Sequence, residues 1–411
     1  MTTTTSTRIR SDVCIVGNGA IAKTAALGLS QAGHSVTLLC PATAAAPAQA
    51  QSDQPWDVRV YALNHTAHSL LTRLRVWSAL DMSRVAPIEA MRVNGDGAGH
   101  GTLGFDAFNA HVGALAWIVE DSNLNQALDA ALKFAPNVRL SHGRACALNG
   151  NASGDAGATV TLADGTVIEC ELILGADGAD SWVRNQCDIG YDYRSYQQRA
   201  IVTNFSCAKP HHNVAHQWFT CSEGIIALLP LPGNRVSLVW SAPLTLAETL
   251  MNETLSELAV RLAEYSEGEL GPLRPLVPEE VKAFPLRLIR PHSIVAPRVA
   301  LAGDAAHAVH PLAGHGMNLG FGDVEDLLKI LAEREPHRAI GDERVLARYA
   351  RARKEDVFLM QFATDSLERL FGSNLEPVRA VRNFGLNLLD KFPALKRRLM
   401  SQALGRASNI V

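Results

Sequence analysis

Residues 12–22 constrain the fold more than any other part of the chain. Asp12-Val13-Cys14-Ile15-Val16 is an apolar run suited to a buried strand, and it leads directly into Gly17-Asn18-Gly19-Ala20-Ile21-Ala22. Ile21, Ala25, Leu27 and Leu29 then recur at helical spacing up to Gly33, and a second apolar run, Val36-Thr37-Leu38-Leu39, follows. Strand, glycine turn, helix and strand make a βαβ unit, and G-x-G-x-x-A in that context is a dinucleotide-binding fingerprint. Gly17 permits the tight turn, and Gly19 lets a pyrophosphate approach the backbone. Ala22 takes the third-glycine place, where helix packs on strand. An acidic residue usually closes the second strand and holds the adenine-side ribose. Here Cys40 and Pro41 stand there, and no carboxylate occurs before Asp53.

A second segment carries the same chemistry near the other end. Arg298-Val299-Ala300-Leu301-Ala302 reads as a buried strand, followed by the acidic turn Gly303-Asp304-Ala305-Ala306-His307. His310-Pro311-Leu312-Ala313-Gly314-His315-Gly316-Met317-Asn318 is a Gly/Pro-rich loop, and helical spacing starts at about Asn318. A helix N-terminus offers free N–H donors and partial positive charge, so it suits an anion or an anionic ring edge. A third segment, Glu171-Leu172-Ile173-Leu174-Gly175, is a strand running into Ala176-Asp177-Gly178 and on to Arg184.

Together the three segments resemble group A FAD-dependent aromatic hydroxylases of the UbiH/UbiF/VisC ubiquinone-biosynthesis hydroxylase family. Asp57-Val58-Arg59-Val60-Tyr61-Ala62-Leu63 is similar to that family's D-x-R-x-x-A-L stretch, and Trp117-Ile118-Val119-Glu120-Asp121 to its [YW]-I-V-E-N stretch. Residues 349–353 and 382–386 resemble its C-terminal helices. The resemblance implies an α/β fold of p-hydroxybenzoate hydroxylase type: a Rossmann-like FAD-binding domain, an inserted mostly antiparallel substrate sheet and a helical C-terminus. On that layout residues 1–84, 119–190 and 291–340 form the FAD-binding part. Residues 85–118 and 191–290 form the substrate domain, and 341–411 the C-terminal helices.

The resemblance also implies roles. Gly17, Gly19 and the backbone of Ala20 would hold the pyrophosphate, Asp304 the ribityl chain or the pyrophosphate side, and Gly303 would also belong to the cofactor site. Gly314, Gly316, Met317 and Asn318 would face the ring's pyrimidine end. Arg59 and Glu120 would touch the cofactor, and Asp177 and Arg184 would lie near its phosphates or a passing NAD(P)H. Pro311, with His310 beside it, is expected at the reactive edge. NAD(P)H would be the co-substrate, and a flavin 4a-hydroperoxide would pass oxygen from O2 to the ring of a polyprenylated phenol. Ser122 and His315 stand where the family commonly has Arg and Gln, so with Cys40 three flavin-side positions are altered.

Composition narrows the alternatives. The chain has 411 residues, 47% hydrophobic, and a formal net charge of −3, which leaves no footprint of nucleic-acid binding. Seven scattered cysteines without C-x-x-C indicate neither a disulfide framework nor a zinc site, and fit a cytoplasmic setting. His211, His212 and His216 read as a solvated loop rather than a metal site. No uninterrupted apolar run of about 18 residues is present to span a membrane. Residues 376–406 carry seven basic and two acidic side chains interleaved with apolar ones. Such a surface can meet an anionic membrane, placing the protein at the periphery of the inner membrane, or a quinone-biosynthesis complex; the plainer alternative is a helix packed on the body. Two other functions stand beside the first: a hydroxylase of a small soluble aromatic, and a non-catalytic subunit of a biosynthetic complex.

Overall fold

The computed structural model describes residues 7–41, 55–95, 101–151, 157–276, 278–309 and 315–371, with backbone alone for His315 and 362–371. Its spine is a six-stranded sheet in the order Val295–Ala296, Val299–Leu301, Leu172–Gly175, Val13–Val16, Val36–Cys40, Val138–His142. All neighbours pair in parallel except the first two strands, which are antiparallel. The three expected motif segments thus lie on adjacent strands, although more than 280 residues of chain separate the first from the last. The four central strands are buried along their whole length, as parallel strands covered on both faces must be. On one face pack the helices Ala20–Gln31, Asp121–Leu132 and His315–Ala332. Every residue from Ala20 to Ser30 is buried, because the helix is sandwiched between sheet and neighbouring helices. On the other face lies a four-stranded sheet, Arg8–Arg10, Val167–Cys170, Ala158–Leu162, Ala145–Asn149.

A second body is built on an eight-stranded sheet drawn from Ala90–Asn94, Thr102–Asp106 and the stretch from Tyr191 to Pro291. The expected antiparallel substrate sheet is present here, in the strands Tyr191–Cys207, Val214–Thr220, Gly224–Leu231 and Arg235–Pro243. Leu244–Asn252 and Leu255–Leu270 cover one face. A three-stranded sheet, Val60–Leu63, Ala116–Glu120, Val85–Ile88, packs apolar residues between the two bodies. It joins residues on both sides of the expected boundary at 84/85, since Val60–Leu63 pairs with Ala116–Glu120.

Other expectations shift for local reasons. Leu244–Asn252 and Leu255–Leu270 are separate helices, because Thr254 and Glu257 form a reciprocal capping box that starts the second one. The helix that starts at His65 stops at Arg73, and Arg75 has φ +60°. The helix expected from Asn318 begins at His315. His211 and His216 do not sit in a solvated loop. His211 lies 2.8 Å from the carbonyl of Leu231, and His216 is buried on a strand, stacked on Trp218. Among the described residues no group of three His, Cys, Asp or Glu could hold a metal.

Candidate flavin site

The first glycine turn is shaped by its neighbour. Gly17 has φ +132°, and a Cβ there would lie 2.1 Å from the carbonyl oxygen of Ala176. Glycine is therefore required, and the requirement comes from the Ala176-Asp177-Gly178 turn pressed against it. Gly19 caps the helix Ala20–Gln31 with no side-chain hydrogen bond, and a Cβ there would meet nothing within 4 Å. The first N–H groups of this helix, Ala20 among them, have no side-chain cap, and the space in front of Gly19 is open. That is the donor set and the backbone clearance a pyrophosphate needs. Cys40 is buried at the end of its strand, and burial raises its thiol above the usual range. It supplies no carboxylate for ribose hydroxyls, so the adenosine end departs from the fingerprint as the sequence indicates.

The acidic turn meets the same helix. Gly303 has φ +63°, and a Cβ on Gly303 or Gly320 would lie 3.4 or 2.8 Å from Ile21. Ile21 is thus the point where the first helix, the acidic turn and the helix His315–Ala332 come together. Asp304 is open to solvent on one side and crowded by protein on the others; the crowding raises its carboxyl, and His307, Arg59 and Arg287 pull it down. Arg59 is exposed, with its guanidinium 5.5 Å from the ring centres of both Tyr61 and Phe284. Tyr61 donates to Asp121 at 2.8 Å, and burial pushes its hydroxyl well above the usual range. Arg59, Tyr61, Asp304 and Arg287 therefore share one electrostatic neighbourhood.

Gly316, Met317 and Asn318 lie in the first turn of the helix His315–Ala332, where N–H groups have no intrahelical acceptor. The Asn318 side chain is used structurally: it donates to the Ala62 carbonyl at 2.7 Å and accepts from Asn64 N–H at 2.9 Å. It pins the helix start to the strand that carries Arg59. His310, Pro311 and Gly314 lie outside the described residues.

Glu120 and Arg184 are both held by protein partners. The Glu120 carboxylate is fully buried, held by Arg84 at 2.6 and 2.9 Å and by the Asp57 N–H at 2.6 Å, because a carboxylate in apolar surroundings needs a countercharge. Asp57 in turn accepts from the N–H groups of Arg59 and Ser122. Glu120 thus acts through Asp57 on the placement of Arg59. Arg184 likewise is buried and donates to the carbonyls of Ala305 at 3.1 Å and Ala179 at 2.8 Å. It ties the Asp177 turn to the acidic turn. Asp177 accepts from Val183 N–H at 3.0 Å through one oxygen, while its other oxygen is buried without a partner among the described residues.

Asp323 and Arg353 escaped sequence reasoning. A signal was present: an acid at Asp323 lies on the buried helix face with Phe321, Val324 and Leu327. Its oxygens accept from Gly303 N–H at 2.8 Å, His307 Nε2 at 2.7 Å and Arg353 Nε at 2.7 Å.

A turn with helix N–H donors beside a second turn with an exposed acid, joined to a sheet-built second body, suits a dinucleotide cofactor held beside a substrate domain. Comparison with known proteins agrees. The FAD binding domain family (FAD_binding_3) matches residues 10–360. The 3-demethoxyubiquinol 3-hydroxylase of Escherichia coli is 35% identical over 397 residues, covering 96% of this chain and 98% of the relative. Ubiquinone hydroxylase UbiL of Rhodospirillum rubrum is 33% identical, covering 96% and 90%. Among solved structures, PqsL of Pseudomonas aeruginosa superposes with a TM-score of 0.73 at 23% identity, covering 92% and 99%. The p-nitrophenol 4-monooxygenase PnpA of Pseudomonas putida gives 0.72 at 17%, covering 97% and 99%. The chain belongs to the group A FAD-dependent aromatic hydroxylases, in their ubiquinone-biosynthesis branch, and is an FAD-dependent monooxygenase.

Proposed function

We propose that this protein hydroxylates the aromatic ring of a polyprenylated phenol in ubiquinone biosynthesis, with NAD(P)H as reductant and O2 as oxygen source. The observation that carries the proposal is 35% identity to a demethoxyubiquinol hydroxylase across 96% of the chain, combined with convergence of the first helix, the acidic turn and the helix His315–Ala332 around Ile21. Bound FAD supplies hydride acceptance and oxygen activation. The residues supply position. The N-terminus of Ala20–Gln31 would hold the pyrophosphate beside Gly17 and Gly19. Asp304 would accept hydrogen bonds from the ribityl hydroxyls. The first-turn N–H groups of Gly316, Met317 and Asn318 would stabilise negative charge at the ring's pyrimidine end. Pro311 and His310 would border the reacting edge, and Asp177 would line the phosphate side. A phenol ring is itself electron-rich, so a dedicated general base is not obligatory.

Among the described residues no helix is long and apolar enough to cross a membrane. A polyprenyl tail resides in the bilayer, so we further propose a cytoplasmic enzyme that docks peripherally through the basic residues 376–406, outside the described residues. The test is direct. FAD-loaded protein is given NADH or NADPH and either a prenylated phenol in micelles or small soluble phenols, and hydroxylated product is measured by mass. Product from the prenylated phenol alone supports the proposal. Turnover confined to soluble phenols, or none with either, defeats it.

A further inference from the structure

Gly303 and His307 bracket Asp304, and both are held by one carboxylate. Asp323 Oδ2 accepts from Gly303 N–H at 2.8 Å and from His307 Nε2 at 2.7 Å. Its Oδ1 accepts from Arg353 Nε at 2.7 Å. Asp323 is fully buried and His307 is 1% exposed. Burial pushes the Asp323 carboxyl up, but His307 and Arg353 outweigh it and hold it below the usual carboxylate range. The carboxylate is ionised, so His307 Nε2 carries the proton that it donates.

The placement of this carboxylate bears on the flavin. Asp323 stands on the helix His315–Ala332, seven residues beyond Gly316, about 10 Å along the axis. One rigid element therefore presents the ring-end N–H donors at its start and the anchor of the acidic turn two turns later. The C-terminal helix Glu343–Phe371 locks that element: Arg353 also donates to Asp326, Asp356 and the Leu319 carbonyl, and Tyr349 donates to the Leu301 carbonyl at 2.7 Å. Gly322 makes room for the guanidinium, since a Cβ there would lie 3.1 Å from it. From the opposite side, Arg184 holds the Ala305 carbonyl.

We propose that Asp323 is a positioning residue for the flavin. It fixes the distance and orientation between Asp304 and the helix N-terminus, and His307 is its arm on the acidic turn. A buried ion pair that served only the core would change stability when altered and leave the affinity of the folded apoprotein for FAD unchanged. The inference rests on flavin binding alone. FAD is titrated without substrate, so failure of prenylated-phenol hydroxylation would leave it standing.

The experiment compares the parent with Asp323→Asn, His307→Ala and His307→Gln. FAD dissociation constants come from flavin fluorescence quenching, and apoprotein and FAD-loaded melting midpoints are read in parallel. Loss of a supporting partner costs roughly 10–100-fold in affinity at other preorganised sites. Asp323→Asn and His307→Ala are expected to weaken FAD by about tenfold or more on that scale and to shrink the FAD-induced rise in midpoint. His307→Gln, which keeps an N–H near the Nε2 position, restores most of the affinity. Folded Asp323→Asn or His307→Ala protein binding FAD within about twofold of the parent overturns the proposal. Should Asp323→Asn fail to fold, the two His307 variants decide it, since they remove one arm and leave the Asp323–Arg353 pair intact.

Discussion

Arg84 grips both oxygens of Glu120, Nε to Oε2 at 2.6 Å and Nη2 to Oε1 at 2.9 Å, around a carboxylate with no solvent exposure. The pair sits behind Asp57, whose N–H also reaches Glu120, so it supports the strand start that presents Arg59. Arg84 lies 4.4 Å from the centre of the Trp56 ring, and Arg235 lies 4.9 Å from it. Removing one partner of a buried pair costs about 3–5 kcal/mol, because the other charge is stranded. Arg84→Met is therefore expected to lower unfolding free energy by about that much at pH 7, measured in urea. Burial already raises the Glu120 carboxyl, with Arg84 pulling it down. Without Arg84 it rises further. A raised acid destabilises the fold as pH rises, so the deficit should shrink as pH falls and Glu120 takes up a proton. A deficit that is constant with pH would contradict this account.

Gly17 and Gly19 separate fold from ligand. Gly17→Ala must place a methyl 2.1 Å from the Ala176 carbonyl at φ +132°, so it should lower the apoprotein melting point and abolish FAD binding. Gly19→Ala meets nothing within 4 Å. It should melt with the parent yet bind FAD more weakly, because its methyl projects where the pyrophosphate approaches. Equal FAD affinity in Gly19→Ala would remove that segment from the site.

Asp304 should show the opposite signature to a structural acid. Crowding raises its carboxyl. The stability linked to its proton is complete below the ordinary carboxylate range and is lost as pH rises through the raised value. Asp304→Asn removes that charge and is expected to leave apoprotein stability at pH 7 unchanged or improved. FAD affinity should fall about tenfold or more, the scale of a lost charge-assisted hydrogen bond at ~1.5–3 kcal/mol. Isothermal titration with FAD and apoprotein melting read the two effects separately.

His216 predicts an acid-sensitive window in the substrate body. Burial lowers its imidazole to about 4, with Arg92 and His211 acting in the same direction and Glu269 against them. Free histidine titrates near ~6.5. Between those values the unfolded chain binds the proton and the folded one does not. Stability should therefore be complete above about pH 7 and be lost as pH falls from ~6.5 to ~4, by up to about 3 kcal/mol. His216→Phe keeps the stack on Trp218 and should flatten the pH profile of urea unfolding. Parallel profiles for the two proteins would exclude His216 as the cause.

Much of the fold and part of the flavin site were legible in the sequence. The glycine turn after Val13–Val16 and the acidic turn after Val299–Leu301 are local signals, since a tight turn at a strand end demands particular residues at fixed spacing. The partners of Glu120 and Arg184 were not legible in the sequence, for a single reason. Motif spacing shows that a charged residue is needed, but not whether its side chain faces a ligand or a buried partner. Glu120 found Arg84, 36 residues away, and Arg184 found the Ala305 carbonyl, 121 residues away.

Local chemistry along the chain determined the βαβ start and the strand-then-turn character of each motif, because backbone geometry and periodic burial act over a few residues. Tertiary structure alone decided which charges pair in the interior: Asp323 with His307 and Arg353, and Glu120 with Arg84. A buried charge is tolerated only beside a partner, and partners so distant in sequence meet only when the sheets and helices have closed around them.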